Sequence, residues 1–285
     1  AALEHVRERQ QLHRRRVVLQ RDIGHHGSVA GRLAADLLDH ARDADVLAVV
    51  EKAVEFAAGR FPVIAGCGSN RTAHAIALSR RFAQAGVVAG LSVTPYYNKP
   101  TQEGLYRHYC AIAEASGLPQ ILYNVPGRTC CDLKPETVAR LAKVPGIIGL
   151  KEATGDLSRT PLLRELCGPD FALYSGDDAS GCDFMLQGGD GVISVTTNIA
   201  APQMADMCRA ALAGDAGQAH DINNRLMPLH QTLFCEPSPI PVKWACARLG
   251  LMATATLRLP LTDLTPEGEQ AMARALTTAE LMASV

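Results

Sequence analysis

What most constrains this chain is a unit that repeats from about residue 60 onward: a short β-rich run, a turn, then a segment of helical period. Six such runs follow one another: Phe61–Gly68, Gly90–Tyr97, Pro119–Pro126, Ile147–Ala153, Phe171–Asp178 and Gly191–Asn198. They recur roughly every 20–30 residues, the spacing of βα units. Each run is almost continuously apolar, so both faces are expected to be buried, as in a parallel sheet covered by helices. Between the runs, Arg71–Ala85 places Ala73, Ile76, Ala77 and Phe82 roughly on one helical face, and Val46–Ala58 reads as the helix before the first run. Pro135 and Pro202 sit just inside helix starts, where a missing N–H costs nothing. A doubly wound sheet needs a switch in strand order and often a glycine-rich first turn. No G-x-G-x-x-G follows any run, and serial βα units favour a (β/α)8 TIM barrel. After Ala213 the strand signal stops. The expected organisation is therefore a barrel over residues 1–214 and a small C-terminal helical domain over 215–285, broken near Pro237 and at Leu259-Pro260.

Barrel enzymes place their chemistry at the C-terminal ends of strands. The polar residues gather there: Tyr96 and Tyr97, Tyr123 and Asn124, Lys151 and Glu152, Asp177 and Asp178, Thr196 and Asn198. Lys151 is the most telling, because it ends the apolar stretch Ile147-Ile148-Gly149-Leu150. Burial disfavours an ammonium and lowers its pKa. The resulting free amine attacks carbonyls to give a Schiff base. The alternative is a lysine at a strand exit whose head reaches water.

Composition excludes several classes. The 285 residues carry a net charge of −1, which gives no general pull toward nucleic acid or a membrane surface. No apolar run is long enough to span a bilayer, and the N-terminus lacks the basic-then-apolar layout of a signal peptide. Nine cysteines are scattered without a C-x-x-C pair, which suggests neither a zinc site nor a redox motif and fits a reducing cytoplasm.

Residues 1–47 are anomalous. Two strands should precede the Val46–Ala58 helix, yet only Val17–Leu19 is strand-like, arginine is dense, and five of the nine histidines lie there. One reading is a solvated basic arm. A transit peptide fits poorly, since serine is scarce and aspartate is not. A third reading is translation out of frame: Asp39–Val46 can be encoded so that a one-base shift yields Thr-Thr-Arg-Glu-Thr-Leu-Thr.

The motifs, taken in order, are PVIAG at Pro62–Gly66, TPYYN at Thr94–Asn98, YNVPGRT at Tyr123–Thr129, KEATG at Lys151–Gly155, SGDD at Ser175–Asp178, GVISVT at Gly191–Thr196 and EPSPIPVKWA at Glu236–Ala245. From about residue 47 to near its C-terminus the chain resembles the dihydrodipicolinate synthase family of pyruvate-dependent class I aldolases. Each motif is short, but their order at strand ends is specific. The resemblance implies that Lys151 forms the Schiff base with pyruvate and that the derived enamine attacks the aldehyde of L-aspartate 4-semialdehyde. It implies that Tyr123 carries protons, within a relay that uses a threonine hydroxyl together with a second tyrosine lent by a neighbouring subunit and matched by Tyr97. A phenol titrating near 10 is a poor base alone, so a relay is needed. Arg128 would grip the aldehyde substrate's carboxylate, a task suited to a planar guanidinium. Gly176 and Ile193 would border bound pyruvate, and the chemistry would require no metal and no organic cofactor. A turn glycine and a core isoleucine are equally compatible with those two positions.

The resemblance also implies a homotetramer built as a dimer of dimers, and a feedback site for lysine. Asn70 and Tyr96 match part of that site, and His74 stands where the family carries glutamate. The largest departure is upstream, where the family's G-T-T-G-E corresponds to Leu33–Leu38, a segment with no hydroxyl. Two alternatives follow: another pyruvate-dependent aldolase or lyase of the same barrel family, with Arg128 as the discriminator, and a non-catalytic relative, motivated by the missing threonine pair.

Overall fold

The computed structural model describes residues 43–283. The readings made on residues upstream of 43, the anomalous arm, the strand-like Val17–Leu19 and the Leu33–Leu38 segment, lie outside them. Elements alternate along the chain: α1 (Asp43–Ala57), β1 (Ile64–Gly66), α2 (Thr72–Ala85), β2 (Ala89–Val93), α3 (Gln102–Ser116), β3 (Gln120–Asn124), the short α4 (Pro126–Thr129), α5 (Pro135–Leu141), β4 (Ile147–Glu152), α6 (Arg159–Cys167), β5 (Ala172–Ser175), α7 (Gly181–Leu186) and β6 (Gly191–Val192). Helices α8 (Thr197–Leu212), α9 (Ala216–Thr232), α10 (Ile240–Arg248) and α11 (Pro266–Thr278) follow. Among the described residues the strands form one sheet in the order β1-β2-β3-β4-β5-β6, and every pairing is parallel. Strand order follows chain order without a reversal, so the sheet lacks the switch point of a doubly wound fold.

Two apolar clusters hold this unit together. Leu122, Leu150 and Leu173 from β3, β4 and β5 pack with Tyr109, Ile112, Leu141 and Leu163 from the covering helices, all fully buried. Val50, Ala65, Cys67, Phe82, Val87 and Leu118 form the second cluster. Full burial of a leucine or phenylalanine contributes roughly 1.5–3 kcal/mol each, which explains why the strand centres carry these residues.

Two expectations are corrected. The buried face of α2 is Ala75, Leu78, Ser79 and Phe82, while Ala73 and Ala77 are exposed. An alanine removes little area from water, so the face is chosen by Leu78 and Phe82. The strands are shorter than their apolar runs, because the C-terminal part of each run is loop. The last is the extreme case: only Gly191–Val192 is strand, and Asn198 already belongs to α8. Pro202 lies just inside a helix start as expected, because α8 breaks at Ala200 (φ −134°, ψ 43°) and its second half begins there.

The described residues fall into two compact units, Asp43–Ile193 and Ser194 onward. This division is earlier than the 214/215 boundary expected from the loss of strand signal, because α8 packs on α9 and α10. The second unit is helical. Asp215 caps α9 by accepting from Gln218 N–H, and Thr265 caps α11 by accepting from Gly268 N–H. Among the described residues no helix is long and apolar enough to cross a membrane.

Candidate active site

The site is built where β3, β4 and β5 end. Tyr123 pairs in register with Lys151, and Lys151 with Tyr174. Residues paired across neighbouring parallel strands point to the same face, so the phenol of Tyr123 and the amine of Lys151 emerge side by side. Lys151 Nζ stands 4.2 Å from the centroid of the Tyr123 ring. The strand ladder continues past the last formal pairs. Gly176 N–H donates to Glu152 O (2.7 Å), and Ile193 N–H donates to Ser175 O (2.8 Å). The first bond aligns Gly176 beside Lys151, and the second sets Ile193, just past β6, against the end of β5.

Gly176 has a steric reason to be glycine. A Cβ there would lie 2.6 Å from Lys151 Cε and 2.7 Å from Ala153 Cβ. The lysine side chain therefore passes through the space that the absent Cβ leaves.

Electrostatics follow from this packing. Burial lowers the Lys151 amine from 10.5 to about 8. The carboxylate of Asp178 pulls it back up, and the Arg128 guanidinium pushes it further down. A free amine is thus accessible near neutral pH, as nucleophilic attack requires. Burial raises the Tyr123 phenol above its ordinary 10, and Arg128 opposes that rise. Arg128 is exposed on α4, a single turn begun by Pro126 at its first position and closed by Cys130 in the left-handed region. Thr129 ties that turn down, its hydroxyl engaged with Val125 O (3.1 Å), Cys131 O (3.0 Å) and the Thr94 hydroxyl (3.1 Å). The charge of Arg128 thus acts on both Lys151 and Tyr123.

Lys151, Tyr123, Arg128 and Gly176, singled out from the sequence, meet in one region, while Ile193 lies just past β6 with its N–H on Ser175 O. Tyr97 stands apart in solvent, 89% exposed, with φ 72°. Asn70 and Tyr96 meet in the loops after β1 and β2. Asn70 Nδ2 donates to Tyr96 O (3.3 Å), and Asn98 Nδ2 donates to Asn70 O (2.9 Å). His74 Nδ1 is 3.3 Å from Ser69 Oγ. Asp178 was missed as a site residue. Its signal was present in the SGDD motif, two positions beyond Gly176, and in the structure it is buried and charges the field at Lys151. Also missed was a polar cluster on the other face of β3 and β4, formed by Asn124, Asp132, Glu152 and Arg159.

Fold and site together define a class: a parallel α/β protein with a lysine of lowered pKa at its strand ends. The profile of the dihydrodipicolinate synthetase family matches residues 41–279. The chain belongs to that family. It is 61% identical over 234 residues to a 4-hydroxy-tetrahydrodipicolinate synthase of Psychromonas ingrahamii, covering 82% of this chain and 80% of the relative. Among solved structures it resembles the chloride-inhibited dihydrodipicolinate synthase of Acinetobacter baumannii complexed with pyruvate, at 46% identity and TM-score 0.85, covering 89% of this chain and 86% of that one. A monomeric dihydrodipicolinate synthase variant is also similar, at 36% identity and TM-score 0.84, covering 89% and 85%.

Proposed function

We propose that this chain condenses pyruvate with L-aspartate 4-semialdehyde to form 4-hydroxy-tetrahydrodipicolinate. The observation that carries the reading is the Lys151 amine, lowered to about 8 and set 4.2 Å from the Tyr123 ring. The free amine attacks the ketone carbon of pyruvate, and loss of water leaves an iminium. The cationic nitrogen accepts electron density when a methyl proton leaves, giving an enamine. The enamine carbon attacks the aldehyde, forming the carbon–carbon bond, and the new alkoxide takes a proton. The amino group of the former aspartate semialdehyde then attacks the iminium carbon, closes the ring and expels the Lys151 amine. Tyr123 serves the proton transfers at the imine and the alkoxide, and Asp178 supports the cationic nitrogen.

Arg128 binds the aldehyde substrate's carboxylate in this reading, which favours this substrate over those of other pyruvate-dependent aldolases and lyases. Gly176 and Ile193 border bound pyruvate. The strand order is that of a (β/α)8 barrel, to which the described strands are assigned, with a C-terminal helical domain after it. The family match begins at residue 41, so the upstream residues, with the place of the threonine pair, carry no such match. Sequencing the coding DNA tests the out-of-frame reading of that stretch. Tyr97 enters a neighbour's site in a homotetramer made as a dimer of dimers. Asn70, His74 and Tyr96 form a lysine effector site, with His74 weakening the pull on an ammonium that a carboxylate would exert. Nine free thiols support a reducing cytoplasm as the place of work.

Borohydride reduction in the presence of pyruvate, read by peptide mass spectrometry, tests the central step. A reduced pyruvate adduct on the Lys151 peptide is the expected result. A folded sample without that adduct overturns the reading.

A further inference from the structure

Behind the reacting face of β3 and β4 lies an ionic cluster, buried at Asn124 and Glu152 and half-buried at Asp132 and Arg159, that the condensation does not use. Side chains alternate across a strand, so Asn124 and Glu152, one residue beyond Tyr123 and Lys151, project to the opposite, helix-covered face. They too are paired in register. Asn124 Nδ2 donates to Glu152 Oε2 (3.2 Å) and to Asp132 Oδ1 (2.9 Å), while Asn124 Oδ1 accepts from Leu133 N–H (2.9 Å). Arg159, the first residue of α6, grips Asp132 with both terminal nitrogens at 2.8 Å, and one of them stands 3.6 Å from Glu152 Oε2. Glu152 Oε1 also accepts from Thr154 N–H (2.9 Å).

The charges are anchored unequally. Arg159, followed by Lys134, holds the Asp132 carboxyl well below the usual range. Burial raises Glu152 in spite of its bond from Asn124. A buried ion pair is weak evidence for stability, since an apolar pair of similar volume often does as well. What this cluster does fix is geometry: it ties the last residues of two strands to each other, to the segment before α5 and to the start of α6.

We propose that Asp132 and Arg159, acting through Asn124 and Glu152, are positioning residues that hold Lys151 against Tyr123 from the opposite face of the sheet. The proposal rests on the imine chemistry assigned to Lys151. The clamp fixes the final residue of each strand, and with it the direction in which the preceding side chain leaves. On the reacting face this orientation sets the lysine amine over the Tyr123 ring and its stem across the open Cα of Gly176, within the fields of Asp178 and Arg128.

The test is Asp132→Asn, which keeps the shape and removes the charge that Arg159 grips. Three quantities are read on the full chain. They are kcat, the pyruvate KM, and the pKa of Lys151 from the pH dependence of its labelling by an amine reagent, quantified on its peptide. A loosened lysine should lose about tenfold to a hundredfold in kcat, with a smaller change in KM, and its pKa should rise from about 8 toward 10.5. The direction separates the causes, because removal of a negative charge acting through space would lower that pKa. Wild-type values of kcat and pKa, or a downward shift alone, overturn the proposal. If Asp132→Asn does not fold, Arg159→Lys, which keeps the charge and loses the two-pronged grip, is read in the same way. Failure of both to fold assigns the cluster to stability alone and also overturns it. Wild-type protein that labels normally but gives no pyruvate adduct refutes the imine reading, while the labelling pKa of the variants still decides the clamp.

Discussion

At Lys151, burial does two opposed things. It makes the amine nucleophilic and it makes the folded chain less stable. Lowering a lysine from 10.5 to about 8 costs the folded state roughly 3 kcal/mol at most while the amine is protonated in both states. The sign follows from proton counting. Below pH 8 both states bind the proton and the full cost is present. Between pH 8 and 10.5 only the unfolded chain binds it, so stability rises with pH. Lys151→Met should therefore abolish the pyruvate adduct yet stabilise the fold at pH 7 by up to roughly 3 kcal/mol, a gain that shrinks by pH 10. Urea unfolding of both proteins at the two pH values measures it, and equal stabilities at pH 7 would show that the amine is not strained by its site. Gly176→Ala probes the same residue from outside. Its Cβ would meet Lys151 Cε at 2.6 Å, and a displaced nucleophile should cost about a hundredfold in kcat. Steady-state assay with borohydride trapping checks this, and normal turnover by the Gly176→Ala variant would remove the steric argument.

At the scale of elements, β4 holds the site because its neighbours approach very closely. A Cβ on Gly149 would lie 2.6 Å from the carbonyl oxygen of Ala172 on β5. Backbone cannot yield as a flexible side chain can, so Gly149→Ala should destabilise the fold by about 2–3 kcal/mol, measurable as a shift in the urea midpoint at unchanged slope. An unshifted midpoint would mean that β4 and β5 can separate without loss. The strands themselves were legible in the sequence, because a strand buried on both faces must be apolar throughout, as Ile147–Leu150 and Ile121–Leu122 are. Their ends were not, because Phe171–Asp178 reads as one run although pairing stops at Ser175 and the rest is the loop that presents Gly176. The face of α2 was misread for the opposite reason: alanines lie all round that helix, and only Leu78 and Phe82 carry enough area to choose. Lys151 stood out as a charge in an apolar run. Asp132 and Arg159 did not, because their pairing depends on bringing together positions 27 residues apart, which no local pattern encodes.

At the scale of the whole molecule, the open question is what Tyr97 is for. An aromatic ring that is 89% exposed, on a backbone at φ 72°, loses the stabilisation of burial, and the left-handed conformation costs roughly 1–2 kcal/mol for a residue with a Cβ. The loop is nonetheless held in place, since Asn98 donates to Tyr96 O and to Asn70 O. Such a feature is explained if the ring is buried by a second copy of the chain and completes that copy's proton relay. Family membership does not decide this, because a monomeric variant is among the similar structures. Complementation does decide it. Tyr97→Phe alone should lower kcat more than it raises KM, and Lys151→Met alone should be inactive. In a dimer holding one of each, the subunit that keeps Lys151 receives Tyr97 from its partner, so one of the two sites is whole. Random pairing of equal amounts of the two chains should then recover about a quarter of wild-type activity. Co-expression of the two variants, with the assembly confirmed by sedimentation, measures this. If the mixture shows no more activity than the sum of its parts, or the wild-type chain sediments as a fully active monomer, Tyr97 acts within its own subunit or not at all.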